Sequence, residues 1–184
     1  MTEQTPDALL LVDIQNDFCK GGALEVPDSP EIFAAVNRYI KHAQRNDWLI
    51  VASRDWHPVD HCSFEDQGGP WPEHCVQDTK GAEFHPDMEL PDDAVRVSKG
   101  AAFDRDQYSA FDDTGLADFL RQRGVKRLHV AGLALDVCVD ATVRDALKEG
   151  FEVKLLADGT RAVEADKAGE VLDRLSDRGA EVVS

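Results

Sequence analysis

Short apolar runs and amphipathic stretches take turns along this chain. Residues 8–14 are continuously apolar but for Asp13, which reads as a buried parallel strand. After Pro30, Ile32, Val36 and Ile40 recur at helical spacing as far as Arg45, with Phe33 and Tyr39 beside them. Residues 48–52 and the shorter 94–97 read as further strands, the latter leading into Ser98-Lys99-Gly100. Leu116, Phe119 and Leu120 mark a helix closed by Gly124. A strand over 127–131, a helix over 137–148 stopped by Gly150, and a strand over 151–156 follow. A helix over 165–177 and a last strand over 180–183 complete the pattern.

Such alternation predicts an α/β fold: one domain over 1–184, three layers (α/β/α), with a mostly parallel, doubly wound sheet. Ligands of such sheets bind beyond the carboxyl ends of the strands. Asp13, Asp55, Lys99 and the turn before Cys138 all fall at or just past predicted strand ends, so four separate pieces of sequence converge on one edge. Residues 55–91 break the pattern. Rich in Gly, Pro, His and Asp, this segment has little periodicity, and loops so long are usually functional or disordered. Its Trp56, Phe64, Trp71 and Phe84 argue for order.

Composition adds exclusions. A chain of 184 residues with 42% hydrophobic and 30% charged content is that of an ordinary globular protein. No apolar run approaches the roughly 18 residues of a membrane span. The polar, acidic start is unlike a secretory signal, so a cytoplasmic location is expected. With 36 acidic residues against 20 Lys plus Arg, the net charge of −16 repels nucleic acid and anionic lipid, which are not expected as partners. A small neutral or cationic substrate suits this field better. The four cysteines suggest reduced thiols rather than a disulfide framework.

The chemistry-bearing residues fall in three places. In Gly132-Leu133-Ala134-Leu135-Asp136-Val137-Cys138, a glycine-bearing turn delivers a thiol to the start of a helical pattern. Unpaired N–H groups and the macrodipole there favour a thiolate; the plainer alternative is a buried small hydrophobe. In Asp55-Trp56-His57-Pro58-Val59-Asp60-His61, followed by Trp71-Pro72-Glu73-His74, carboxylate and imidazole donors suited to zinc, iron or manganese cluster in one loop. The alternatives are solvated turn histidines, or a structural zinc site of Cys62, Cys75, His61 and His74. Asp13 closes the first strand, where a charge is costly unless paired or used; it is either a loop cap or a proton acceptor for the thiol. Lys99 is an exposed lysine or an ammonium over the same crevice. His42, His85 and His129 read as helix surface, loop and strand packing.

Val12-Asp13-Ile14-Gln15-Asn16-Asp17-Phe18, Asp55-Trp56-His57-Pro58, Trp71-Pro72-Glu73-His74-Cys75-Val76, Lys99-Gly100 and the Gly132–Cys138 stretch together resemble the nicotinamidases (pyrazinamidases), within the isochorismatase-like cysteine hydrolases. The resemblance spans nearly the whole chain. It implies Asp13, Lys99 and Cys138 as catalytic triad, and Asp55, His57, His61 and His74 as ligands of one divalent metal ion, with zinc first and iron or manganese as alternatives. It implies a cis peptide between Leu133 and Ala134, an oxyanion hole from the N–H groups of Ala134 and Cys138, and a pocket formed by Phe18, Trp71, Tyr108 and Leu133. Asp104-Arg105-Asp106-Gln107 departs from the family segment before Tyr108. The implied activity is hydrolysis of nicotinamide to nicotinate and ammonia through a cysteine thioester, in salvage toward NAD, with pyrazinamide as an expected second substrate. A homo-oligomer is compatible with it. A related cysteine amidase for N-carbamoyl or ureido substrates would need the triad but not the metal residues. An inactive binding module or structural metalloprotein would leave Asp13 and Cys138 unexplained.

Overall fold

The computed structural model describes residues 6–184. Strands β1 (Asp7–Val12), β2 (Leu49–Asp55), β3 (Val95–Lys99), β4 (Arg127–Leu133), β5 (Glu152–Arg161) and β6 (Glu181–Val183) form one sheet in the order β3-β2-β1-β4-β5-β6. Every pairing is parallel, so the sheet expected to be mostly parallel is wholly so. The order reverses direction between β1 and β4, and that switch point opens a crevice at the strands' carboxyl ends.

Period-two alternation along β1 defines the two faces. Ala8, Leu10 and Val12 pack with Leu120, Val143 and Leu175 of helices α2 (Leu116–Gln122), α3 (Asp140–Lys148) and α4 (Ala168–Asp177). Leu9 and Leu11 pack on the other face with Val36 and Ile40 of α1 (Phe33–Arg45), and with Phe18, Val26 and Met88 from loops. The three layers follow. Asp140 joins α3 to α4 by accepting from Arg144 (3.0 Å) and Arg174 (3.1 Å). No helix among the described residues is long and apolar enough to cross a membrane.

Several boundaries move, each for a local reason. β1 stops at Val12, because Asp13 takes a left-handed backbone (φ 51°). β2 and β3 run further than their apolar cores, to Asp55 and Lys99, which are register partners. β5 continues through the polar Asp158-Gly159-Thr160 to Arg161; Asp158 accepts from the Tyr39 hydroxyl at 2.7 Å, an interaction with no periodic signature. The helix expected over 137–148 begins as a π turn, Leu135–Val139, before α3.

Gly132 sits where β4 passes β1 at its tightest. Its φ is +133°, and a Cβ there would lie 2.1 Å from the Val12 carbonyl oxygen, a backbone atom that cannot yield. Gly132→Ala should therefore cost more than about 2 kcal/mol of stability. Urea unfolding reads this directly, and an unchanged midpoint would mean the strands separate freely there.

Candidate active site

Four strand tips assemble the site. Asp13 follows β1, Asp55 and Lys99 end β2 and β3 side by side, and Cys138 lies in the π turn after β4. The Lys99 side chain is wholly buried, and its Nζ donates to Asp13 Oδ2 at 2.8 Å and Asp55 Oδ1 at 2.6 Å. The same nitrogen is 3.3 Å from the Gln107 carbonyl and 3.7 Å from Cys138 Sγ. Asp13 Oδ1 accepts from the Ser53 hydroxyl at 2.8 Å. Donor atoms of Asp13, Asp55 and Cys138 lie within 4.8 Å of one another. Thiol, carboxylate and ammonium thus meet as the spacing of strand ends predicts.

Electrostatics revises one expectation. Burial pushes the Cys138 thiol well above its ordinary value, and the Asp13 and Asp55 charges add to this against Lys99. Two influences therefore oppose the pull of the helix terminus toward a thiolate: Cys138 is only 5% exposed, and two carboxylates as well as the Lys99 ammonium lie beside it. Burial also raises Asp13, opposed by Lys99 and reinforced by Asp55. For Asp55 burial works the same way, but Lys99 and His57 outweigh it and hold the carboxyl below the usual range. Burial disfavours the Lys99 ammonium, yet the two carboxylates keep it firmly protonated.

A second set of donors meets Asp55 from the loop side. His57 Nδ1 donates to the Gly100 carbonyl (2.8 Å) and His74 Nδ1 to the Pro72 carbonyl (2.7 Å), since a carbonyl only accepts. Each ring then presents Nε2 toward Asp55 Oδ2, at 3.5 and 3.9 Å. With both rings neutral, two imidazole lone pairs and a carboxylate oxygen converge on one point, a donor set suited to a cation, and outer N–H groups held by backbone carbonyls are the usual support of ligating histidines. These residues fit a divalent metal. Gly100 makes this possible: with φ +68° its position leaves no room for a Cβ, which would meet His57 Cε1 at 2.5 Å. Phe64 packs against all three imidazoles, with centroids 5.7, 5.7 and 5.6 Å from His57, His61 and His74.

His61 is brought near but not into this trio. Its ring stacks on His57 at 4.1 Å, while Nε2 faces the Arg105 carbonyl at 3.1 Å and Nδ1 accepts from the Ser63 N–H at 3.2 Å. Its donor grouping is with His57 and Asp106. Cys62 and Cys75 belong to none of the donor groups among the described residues; Cys75 is buried, with its N–H on Asp17 Oδ2 at 2.8 Å. His129 pairs with Asp7 at 2.7 Å and lies against Trp48, as a packing histidine does.

A pocket joins the two halves. Cys138, Asp55 and His74 border it, with Phe18, Trp71, Tyr108, Leu133 and Ala134 as walls. Trp71 Nε1 donates to the Tyr108 hydroxyl at 3.1 Å. The Leu133–Ala134 peptide is cis. The Ala134 carbonyl accepts from the N–H groups of Val137 and Val139, at 3.1 and 3.0 Å, which shapes the turn bearing Cys138.

Sequence reasoning missed several supporting side chains. Gln15, fully buried, takes the Asp55 N–H on Oε1 (2.9 Å) and donates to the carbonyls of Asp55 (2.8 Å) and Ala82 (2.9 Å). A glutamine two residues past a buried aspartate was the available signal. Ser53 gave none, since its role depends on β1–β2 register, and the roles of Asp106 and Gln107 depend on loop geometry.

Comparison with known proteins agrees with this geometry. The chain is 42% identical over 179 residues to the nicotinamidase of Escherichia coli, covering 86% of this chain and 84% of that one. It is 38% identical to the nicotinamidase/pyrazinamidase of Mycobacterium tuberculosis, over 96% and 97% of the two chains. Among solved structures, Pyrococcus horikoshii pyrazinamidase in complex with zinc superposes with a TM-score of 0.95 at 47% identity, covering 98% of this chain and 99% of that chain. PnC1 of L. infantum in complex with nicotinate gives 0.90 at 37%, covering 99% and 94%. Residues 7–184 match the isochorismatase domain, and the chain belongs to the isochorismatase family.

Proposed function

We propose that this protein is a nicotinamidase, hydrolysing nicotinamide to nicotinate and ammonia, with Asp13, Lys99 and Cys138 as its catalytic residues. The observation that carries the reading is the buried contact of thiol, carboxylate and ammonium, its Cys138 end bordering a pocket whose wall includes Asp55 and His74. Relatives named nicotinamidase, and a solved relative holding nicotinate, support the substrate.

The chemistry follows from the protonation states. Cys138 rests as a thiol, so attack on the carboxamide carbon is coupled to proton transfer onto Asp13, whose raised pKa suits it to accept and return a proton. Lys99 holds Asp13 in place by a 2.8 Å hydrogen bond and offsets negative charge developing beside it. We assign the oxyanion to the N–H groups of Ala134 and Cys138 at the turn. Asp13 passes its proton to departing ammonia, leaving a thioester. It then takes one proton from the water that attacks the thioester carbon, the C–S bond breaks, that proton returns to sulfur, and the acid ionises to nicotinate on release. Phe18, Trp71, Tyr108 and Leu133 form the apolar and aromatic walls that hold the pyridine ring, as they would the ring of pyrazinamide.

Asp55, His57 and His74 would hold one divalent metal ion, with zinc the first candidate because the Pyrococcus relative carries it. His61 would join as a fourth donor on releasing the Arg105 carbonyl. When bound, the ion supplies a positive centre that orients the ring nitrogen. Four free cysteines suit a reducing cytoplasm, where the product would feed NAD salvage.

Cys138→Ala should abolish ammonia release from nicotinamide while leaving metal content unchanged; surviving turnover would exclude the thioester route. Asp13→Asn keeps the side chain's shape but removes the base, and kcat should fall at least about a hundredfold. A kcat near that of the unmodified enzyme would place the base elsewhere. His57→Ala should lower bound metal and raise KM together, and full metal occupancy by elemental analysis would reject His57 as a ligand.

A further inference from the structure

The segment Asp104-Arg105-Asp106-Gln107 lies across the histidine-bearing loop and touches both halves of the site. The Phe103 carbonyl accepts from the Cys62 N–H at 2.9 Å. The Arg105 carbonyl faces His61 Nε2 at 3.1 Å, and the Gln107 carbonyl accepts from Lys99 Nζ at 3.3 Å. One side chain pins this segment down. Gln107 Oε1 accepts from the Gly100 N–H at 2.8 Å, while its Nε2 donates to the Asp112 carbonyl. Gly100 in turn offers its carbonyl to His57 Nδ1 at 2.8 Å. Asp106 and Tyr108, the neighbours of Gln107, line the pocket.

We infer that Gln107 is a positioning residue that sets Lys99 and His57 together, through its own carbonyl and through Gly100. The geometry asks for an amide. Its oxygen must accept at Gly100 while its nitrogen donates to Asp112, a combination that a carboxylate or hydrocarbon side chain does not offer. Losing it frees Gly100, and with Gly100 the carbonyl that fixes which nitrogen His57 presents. The same loss loosens the carbonyl that accepts from the Lys99 ammonium. Catalytic rate and metal affinity are then coupled through one residue that belongs to neither the triad nor the ligand set. The inference rests on the nicotinamidase reading for its rate effect, but not for its effect on metal binding.

Two variants test it: Gln107→Met, close in shape but without the polar ends, and Gln107→Glu, which keeps an acceptor for Gly100. Each is assayed for ammonia release from nicotinamide and, as metal-free protein, for zinc affinity by calorimetry, with the thermal midpoint as a folding control. Q107M should lose about tenfold or more in both kcat and zinc affinity. Q107E should keep zinc affinity within about threefold of the unmodified chain while losing part of kcat. Unmodified kcat and zinc affinity in Q107M overturn the inference, as does a fall in kcat with zinc affinity untouched. If Q107M does not fold, Q107E decides through kcat: a lowered kcat in a folded Q107E supports the inference, and unmodified kcat and zinc affinity there overturn it. An unmodified chain inert toward nicotinamide, with zinc affinity still lost in Q107M, would sink the substrate assignment and leave the positioning role standing.

Discussion

Lys99 lies between two carboxylates in a place water does not reach, and the site is organised around that contact. Asp13 and Asp55 cannot both be buried as anions without it, because like charges at such range drive one of them to protonate. Its desolvation is offset by hydrogen bonds of 2.8 and 2.6 Å, a compensation that holds only with all three groups present. Asp55 then divides its two oxygens. Oδ1 serves the ammonium and Oδ2 faces His57 and His74, so the cluster of Asp13, Lys99 and Cys138 and the histidine side form one electrostatic unit. Two carboxylates and one ammonium leave a negative charge, which favours a cation on the histidine side.

That unit also governs the nucleophile. Burial and the two neighbouring carboxylates push the Cys138 thiol up, against the pull of the Lys99 ammonium. In the proposed reaction its activation is tied to the moment of attack, when Asp13 would take the proton. A low resting nucleophilicity of this kind limits oxidation and alkylation of an otherwise reactive group. Cys19 has its thiol pushed up to about 12 by burial, with the Asp87 charge adding to it.

The fold makes the unit by placing strand ends side by side. Val12 and Ser53 are register partners, as are Asp55 and Lys99, so Asp13, Ser53, Asp55 and Lys99 reach one crevice without long loops. Gln15 holds both backbone groups of Asp55, and Gln107 holds Gly100. Buried polar groups in such a place must be satisfied or they cost stability, which is why amides gather around the charges.

Much of this was readable from the residues in order. Continuous apolar runs with helical spacing between them announced an α/β protein with a parallel sheet, because burial on both faces leaves a strand apolar throughout. A lone acid at the end of such a run, the histidines of the long loop and a thiol after a glycine turn marked the chemistry, since each is costly unless used. Tertiary structure alone decided the rest. That His61 stacks on His57 while its Nε2 faces Arg105, that Cys138 keeps its proton, and that Ser53, Gln15 and Gln107 are the supports all depend on which strands pair and how loops cross. Those are relations between residues 40 or more positions apart in several cases, such as Ser53 with Asp13 and Gln15 with Asp55. Local pattern carries no record of them, because hydrogen bonds and desolvation act through space and not along the chain.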